Sequence, residues 1–194
     1  MANFKRWLLC TFLLVGGTYV LGTAQGVPSH STQHEAHATQ QDRRADTLLD
    51  VVRKATERYK DVNVARAEGF GLVFGCVQGP DSGAMGMHFL NPQRLTTDLD
   101  PSLPQILIYE PQPDGKLKLI GADFLVDAAA WDKLHPKDPP QLLGQLFHFF
   151  ESPNRFGLDP FYTLHVWAWK ENPNGAFVNW HPNVSCQSFT GDSL

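Results

Sequence analysis

Cysteine, methionine and charge are all scarce in this chain. Three cysteines and three methionines occur among 194 residues, and 19% of the residues are charged. So few thiols, none in Cys-x-x-Cys spacing, argue against a thiolate metal site. The formal net charge of −4 contains no basic surplus, so no nucleic-acid surface is expected. No acidic run marks a charged tail. No Gly-x-Ser-x-Gly, His-Glu-x-x-His, phosphate-binding loop or paired-cysteine zinc pattern occurs, so no known catalytic signature is available. There is no internal repeat. Past the first 24 residues, no apolar stretch approaches the roughly 20 residues needed to span a bilayer.

The N-terminus has the pattern of an export signal. Lys5 and Arg6 form a basic start, Trp7 to Leu21 an apolar stretch, and Gly22-Thr23-Ala24 a small-residue cleavage site. Residues 1–24 are therefore expected to be a removed signal peptide, which makes the protein exported, periplasmic or secreted. A membrane anchor is the weaker reading, because Gly16, Gly17 and Thr18 interrupt the stretch. Residues 25–44 are rich in Gln, Ser, Thr and His with almost no aliphatic content, the composition of a flexible tether. His30, His34 and His37 within it could hold a metal only loosely. Residues 45–194, in a chain that is 42% hydrophobic, suffice for a single globular domain. Cys76 and Cys186 survive signal removal, and in an oxidising compartment such a pair forms a disulfide. Closing a loop of about 110 residues would stabilise by up to about 4–5 kcal/mol in the chain-entropy model.

Leu48, Val52, Ala55 and Tyr59 recur at helical spacing, with Thr47 and Asp50 resembling a capping box. A helix over 47–60 and a short second helix from Val62 to Glu68, closed by Gly69, are predicted. From Phe70 the pattern turns to short strands. "GLVFGCVQG" and "GMHFLNP" flank the loop "GPDSGAMG"; Ile106 to Glu110 and Lys116 to Val126 flank the turn "PQPDG". "PPQLLGQLFHFFES" reads as a further helix near 140–151. Phe161 to Lys170 and Ala176 to Trp180 read as strands joined by "ENPNG". The expected fold is α+β: an N-terminal helix pair packed on a curved, mainly antiparallel sheet or half-barrel, with that further helix.

In "YTLHVWAWK" alternation puts Thr163, His165, Trp167 and Trp169 on one face. Bulky apolar walls around one imidazole have the makeup of a binding pocket, although a core histidine bonded to a carbonyl fits equally. The hairpin alternation sets Asp123 among aliphatic neighbours, where a carboxylate must be paired, ligated or protonated. Its partner could be His165, or an arginine such as Arg53 or Arg58. His88 follows Met85 and Met87; a thioether–imidazole set would suit copper, but these three residues cannot share a face unless Gly83 and Gly86 bend the strand. Glu110 and His148 are expected on the solvent side, and His181 at a rim or turn.

The phrases "ATERYKDVNVARAEGF", "MGMHFLNP", "ILIYEPQPDGKLKLIGADF" and "LHVWAWKENPNGAFVNWHPNVSC" resemble a family of exported bacterial proteins with Met-Gly-x-His-Phe and Leu-His-x-Trp-x-Trp motifs. The resemblance covers residues 55–186. It implies an exported single domain in which His88, Asp123, His165, Trp167 and Trp169 belong to one shared pattern, and it transfers no activity.

Three functions are open at this level. The first is a small-molecule- or metal-binding domain, with His88, His165 and Asp123 holding zinc, iron or copper and Thr163, Trp167 and Trp169 lining the pocket. The second is an enzyme with His165 as general base and Asp123 as its orienter, on a small apolar or aromatic substrate. The third is a structural exported domain that presents a surface to a protein partner. Ligating atoms more than about 5 Å apart would exclude one shared ion, given bonds of about 2.0–2.2 Å.

Overall fold

The structure, a computed structural model, describes residues 30–191. The expected signal segment, 1–24, lies outside the described residues. The first element is one long helix, α1 (His30–Thr56), extended by a 3-10 turn over Glu57–Lys60. A short helix, α2 (Val62–Ala67), follows at the position predicted, and Gly69 after it has φ +94°. The helix pair is thus corrected to a long helix with a six-residue appendix. The stretch 25–44, read as a tether, is helical from His30 on. Its Gln, Ala and Arg content favours helix even though residues 37–44 stay exposed and bury no face. Thr47 does not cap: it lies inside α1, and its hydroxyl donates to the Arg43 carbonyl at 2.7 Å. Leu48, Val52 and Thr56 are the described residues α1 buries completely.

The strands are β1 (Gly71–Gln78), β2 (Ala84–Leu90), β3 (Ile106–Pro111), β4 (Leu117–Asp127), β7 (His148–Phe150) and β8 (Phe161–Val166). They form one curled antiparallel sheet in the order β1-β2-β3-β4-β8-β7, the half-barrel expected. The predicted β3–β4 hairpin is present, with Gln112 and Lys116 closing its turn at 2.8 Å.

The further helix lies elsewhere than predicted. It is α3 (Ala128–Leu134), started by Asp127, whose carboxylate accepts from the Ala130 amide at 2.7 Å. The stretch 140–151 is instead β5 (Gln141–Leu142), β6 (Gln145–Leu146) and edge strand β7. Leu143 at φ 47° and Gly144 at φ +84° form a two-residue turn with both central residues left-handed. That turn breaks the helical spacing its leucines imitate. Nor is 176–180 a strand. Beyond Val166 the chain runs irregularly, held by the Trp167 amide on the Ala176 carbonyl and the Trp169 and Lys170 amides on the Ile120 carbonyl.

The two faces of the sheet carry different loads. On one, Phe124 and Val126 of β4 and Leu164 and Val166 of β8 pack against Leu48 and Val52 of α1. A second cluster gathers Tyr59, Phe70, Phe89, Tyr109, Leu119 and Trp167 beside the Cys76–Cys186 disulfide. On the other face of β4 and β8, the alternate residues Asp123, Leu125, Thr163 and His165 line up.

Candidate metal centre

The register places Asp123 of β4 directly opposite His165 of β8, and Leu125 opposite Thr163. Strand alternation was therefore enough to set these side chains on one face. His88 arrives from β2, with β3 and β4 lying between it and β8. Its neighbour across the ladder is Ile108, then Gly121. Three strand spacings of about 4.8 Å would hold His88 and His165 about 14 Å apart in a flat sheet. The curl instead brings their rings to 5.6 Å between centroids and Nε2 to within 3.4 Å of Nε2.

One ligand atom from each of His88, Asp123 and His165 lies within 4.8 Å of the others, and all three residues are buried. The Asp123 carboxylate accepts the Thr163 hydroxyl at 2.5 Å and faces His165 Nδ1 at 3.7 Å. The arginines considered as its partners are engaged elsewhere. Arg53 holds Asp50 and the Ala168 carbonyl, and Arg58 holds Glu68 and Tyr59.

Burial sets the protonation states. It lowers His88 to about 4, with His165 beside it acting in the same direction. Burial likewise lowers His165 to about 3, and His148 adds to that. Asp123 is raised to about 6 by desolvation, against the opposing pull of His88 and the Thr163 hydrogen bond. Near neutral pH the site therefore holds two neutral imidazoles and one carboxylate, the protonation states in which these groups bind metals.

The lone pairs in this site are mismatched. His88 Nδ1–H donates to the Gly86 carbonyl at 3.2 Å, which leaves its Nε2 bare toward His165. If His165 carries its proton on Nδ1, beside Asp123, two bare Nε2 atoms face each other at 3.4 Å. If the proton is on Nε2, a bare Nδ1 faces the carboxylate. His165 Nδ1 has no hydrogen-bond partner within normal reach. A cation held between the two facing Nε2 atoms relieves that opposition and offsets the charge of the Asp123 carboxylate beside them. A tetrahedron with bonds of about 2.1 Å has edges of about 3.4 Å.

Gly86, at φ +89°, redirects β2. A Cβ there would sit 2.8 Å from the Tyr109 carbonyl oxygen. The bend turns Met85 and His88 into the same cavity, while Met87 joins the opposite core. That cavity measures about 20 Å³ and lies against His88, His165 and Thr163. Its other walls are Phe74, Met85, Leu125, Phe150, Phe156, Leu158 and Phe161.

The tryptophans of the motif part company. Trp167 is buried at 5.9 Å from the His165 ring, and its indole donates to the Val178 carbonyl at 2.7 Å. Trp169 has left the strand. It donates to Thr56 at 2.9 Å, lies under Lys60 at 3.8 Å, and borders a surface groove. Of the three expected pocket residues, only Thr163 lines the cavity.

Three polar residues depart from expectation. Glu110, expected exposed, is buried, and Lys170 Nζ reaches both its oxygens at 2.8 Å while the Ser185 amide donates at 3.1 Å. Its companions come from the irregular C-terminal segment, which no strand pattern announces. His181, expected at a rim, is fully buried; it bridges to Ala84 and meets the Trp167 ring edge-on at 4.9 Å. His148 is exposed as expected, but on β7 rather than a helix, with Nε2 at 3.2 Å from the Phe177 carbonyl. Asn179, which sequence reasoning passed over, borders His165 and leaves its buried Oδ1 without a partner.

The Cys76–Cys186 disulfide is formed as expected. No helix among the described residues is long and apolar enough to cross a membrane. Comparison of the chain with protein-family models, with curated proteins and with solved structures gives no match.

Proposed function

We propose that this is an exported metal-binding domain whose ion is held by His88 Nε2, His165 Nε2 and the Asp123 carboxylate. The observation that carries the reading is the pair of imidazole nitrogens at 3.4 Å, buried beside a carboxylate, which no single tautomer of His165 satisfies on both sides of its ring. A divalent ion offsets the buried negative charge and satisfies both nitrogens at once. Two imidazoles and one carboxylate suit zinc, iron(II) or copper(II). Export is supported by the disulfide and by the signal-like N-terminus.

Two observations weigh against the other readings. A general base works best with a pKa near the working pH, and burial drives His165 to about 3. A purely structural domain would leave His165 and Asp123 apart, whereas they lie 3.7 Å from each other.

Metal analysis and titration calorimetry test the proposal on the purified protein and on His165→Ala and His88→Ala. One ion per chain, lost in both variants, is the expected result. Protein that is metal-free as isolated and takes up none of the three metals would end this reading.

A further inference from the structure

Resting on the metal reading, we propose that the open coordination position of the ion accepts a small uncharged molecule of the size of dioxygen and rejects anions and organic ligands.

Three protein ligands leave a metal at least one position to fill, and the space beside the two histidines is the cavity of about 20 Å³. A single water requires about 10–15 Å³ on this measure, so a molecule of two or three atoms fills the space and a substrate-sized one does not. The walls beyond the histidines are almost wholly apolar. The polar hydrogens nearest the cavity are already used: Thr163 O–H on Asp123, and His88 Nδ1–H on Gly86. An incoming anion would shed its water and find no donor in exchange, which is prohibitive in apolar surroundings. A neutral diatomic molecule has no such penalty.

The roof of the chamber is built for a close fit. Phe74 adopts φ 64°, a left-handed conformation that is a clear outlier for a bulky residue. It does so where β1 bulges between Val73 and Cys76, and Gly75 beside it has φ 63°. Its ring meets Phe156 at 5.2 Å, and Phe156 meets Phe150 and Phe161 at 5.9 Å each. A strained backbone that persists at a cavity wall is held there by its surroundings, a pattern typical of functional sites. Phe74, Phe150, Phe156 and Leu158 are only half-buried, so the small ligand enters between them.

The test uses the purified protein with its disulfide intact, loaded with iron(II) without oxygen, metal uptake being measured first. Nitric oxide stands in for the neutral diatomic. The expected result is the paramagnetic resonance signal of an iron–nitrosyl complex. Copper(II)-loaded protein should show no azide charge-transfer band and no spectral change with imidazole. Leu158→Trp, which fills the chamber, should keep the metal and lose the nitrosyl signal, while Phe156→Ala should newly admit imidazole. Iron uptake with no nitrosyl signal, or an azide or imidazole response in the unaltered protein, overturns this inference and leaves the metal reading standing. Failure to take up iron(II) or copper(II) overturns this inference, and failure to take up zinc as well overturns the metal reading with it.

Discussion

The Thr163 hydroxyl donates to Asp123 Oδ1 at 2.5 Å, inside the sheet and one strand over. It fixes the carboxylate that faces His165 and helps keep it ionised despite burial. Thr163→Val has nearly the same shape and removes only that bond. The group left behind is a buried acceptor, and the expected cost is about 1–3 kcal/mol of stability. Metal affinity should fall about 10- to 100-fold, as for other partners that orient ligands. Calorimetry and urea unfolding on the same variant read the two effects separately.

Metal uptake should depend on pH through Asp123 rather than through the histidines. His88 and His165, lowered to about 4 and about 3, stay unprotonated through mild acid. Asp123, raised to about 6, gains its proton first. Affinity should decline as pH falls through about 6, and it should be restored fully on returning to neutral. Titrations at several pH values on both sides of 6 check this.

The metal-free protein should lose stability on acidification over the same range. Each buried histidine binds its proton in the unfolded chain, at 6.5, well before it does in the folded one. Its contribution is complete above 6.5 and is lost as pH falls toward its folded value. Asp123 acts the other way: its folded pKa is raised from 3.8 to about 6, so it adds stability in acid that is lost as pH rises through about 6. Two histidines against one carboxylate leave about one net proton near pH 5, a slope of about 1.4 kcal/mol per pH unit. Urea midpoints between pH 4 and 6.5 should fall with pH, and the Asp123→Asn variant should fall more steeply.

Reduction of Cys76–Cys186 should destabilise the whole sheet rather than one edge. The bond ties β1 to the C-terminal segment across 110 residues, and Cys76 pairs with Met87, next to His88. A loss of about 2–5 kcal/mol is expected. Thermal unfolding with and without reductant, and of the Cys76→Ser/Cys186→Ser double variant, measures it.

Gly86→Ala should damage the site without touching a ligand. The new methyl would lie 2.8 Å from the Tyr109 carbonyl oxygen at a φ of +89°. The strained conformation alone costs about 1–3 kcal/mol. Because this bend aims His88, metal affinity should fall together with stability. Gly115→Ala, also at positive φ but with open space around its Cβ, serves as the control for strain alone.

Much of this protein follows from local rules. The turn "PQPDG" and the alternation around it announce the hairpin, and they set Asp123 inward among aliphatic residues. The same alternation in "YTLHVW" puts Thr163 and His165 on one face, and the spare cysteine pair points to its disulfide. These features depend on a residue and its near neighbours, so they are visible in the chain alone. Where local signals competed, sequence reading failed. The leucines of 140–151 imitate a helix, but the left-handed turn at Leu143 and Gly144 makes strands of them. Trp169 continues the alternation on paper, yet the strand ends at Val166 and the indole goes to Thr56. Other features depend on segments far apart in the chain. Glu110 and His181 are buried because the irregular C-terminal run folds back over them. His88 meets His165 because the sheet curls through three strand spacings, a curvature set by the helix and the clusters packed against it. Spacing along a strand can say which way a side chain points; how far it lies from a side chain three strands away is decided by packing.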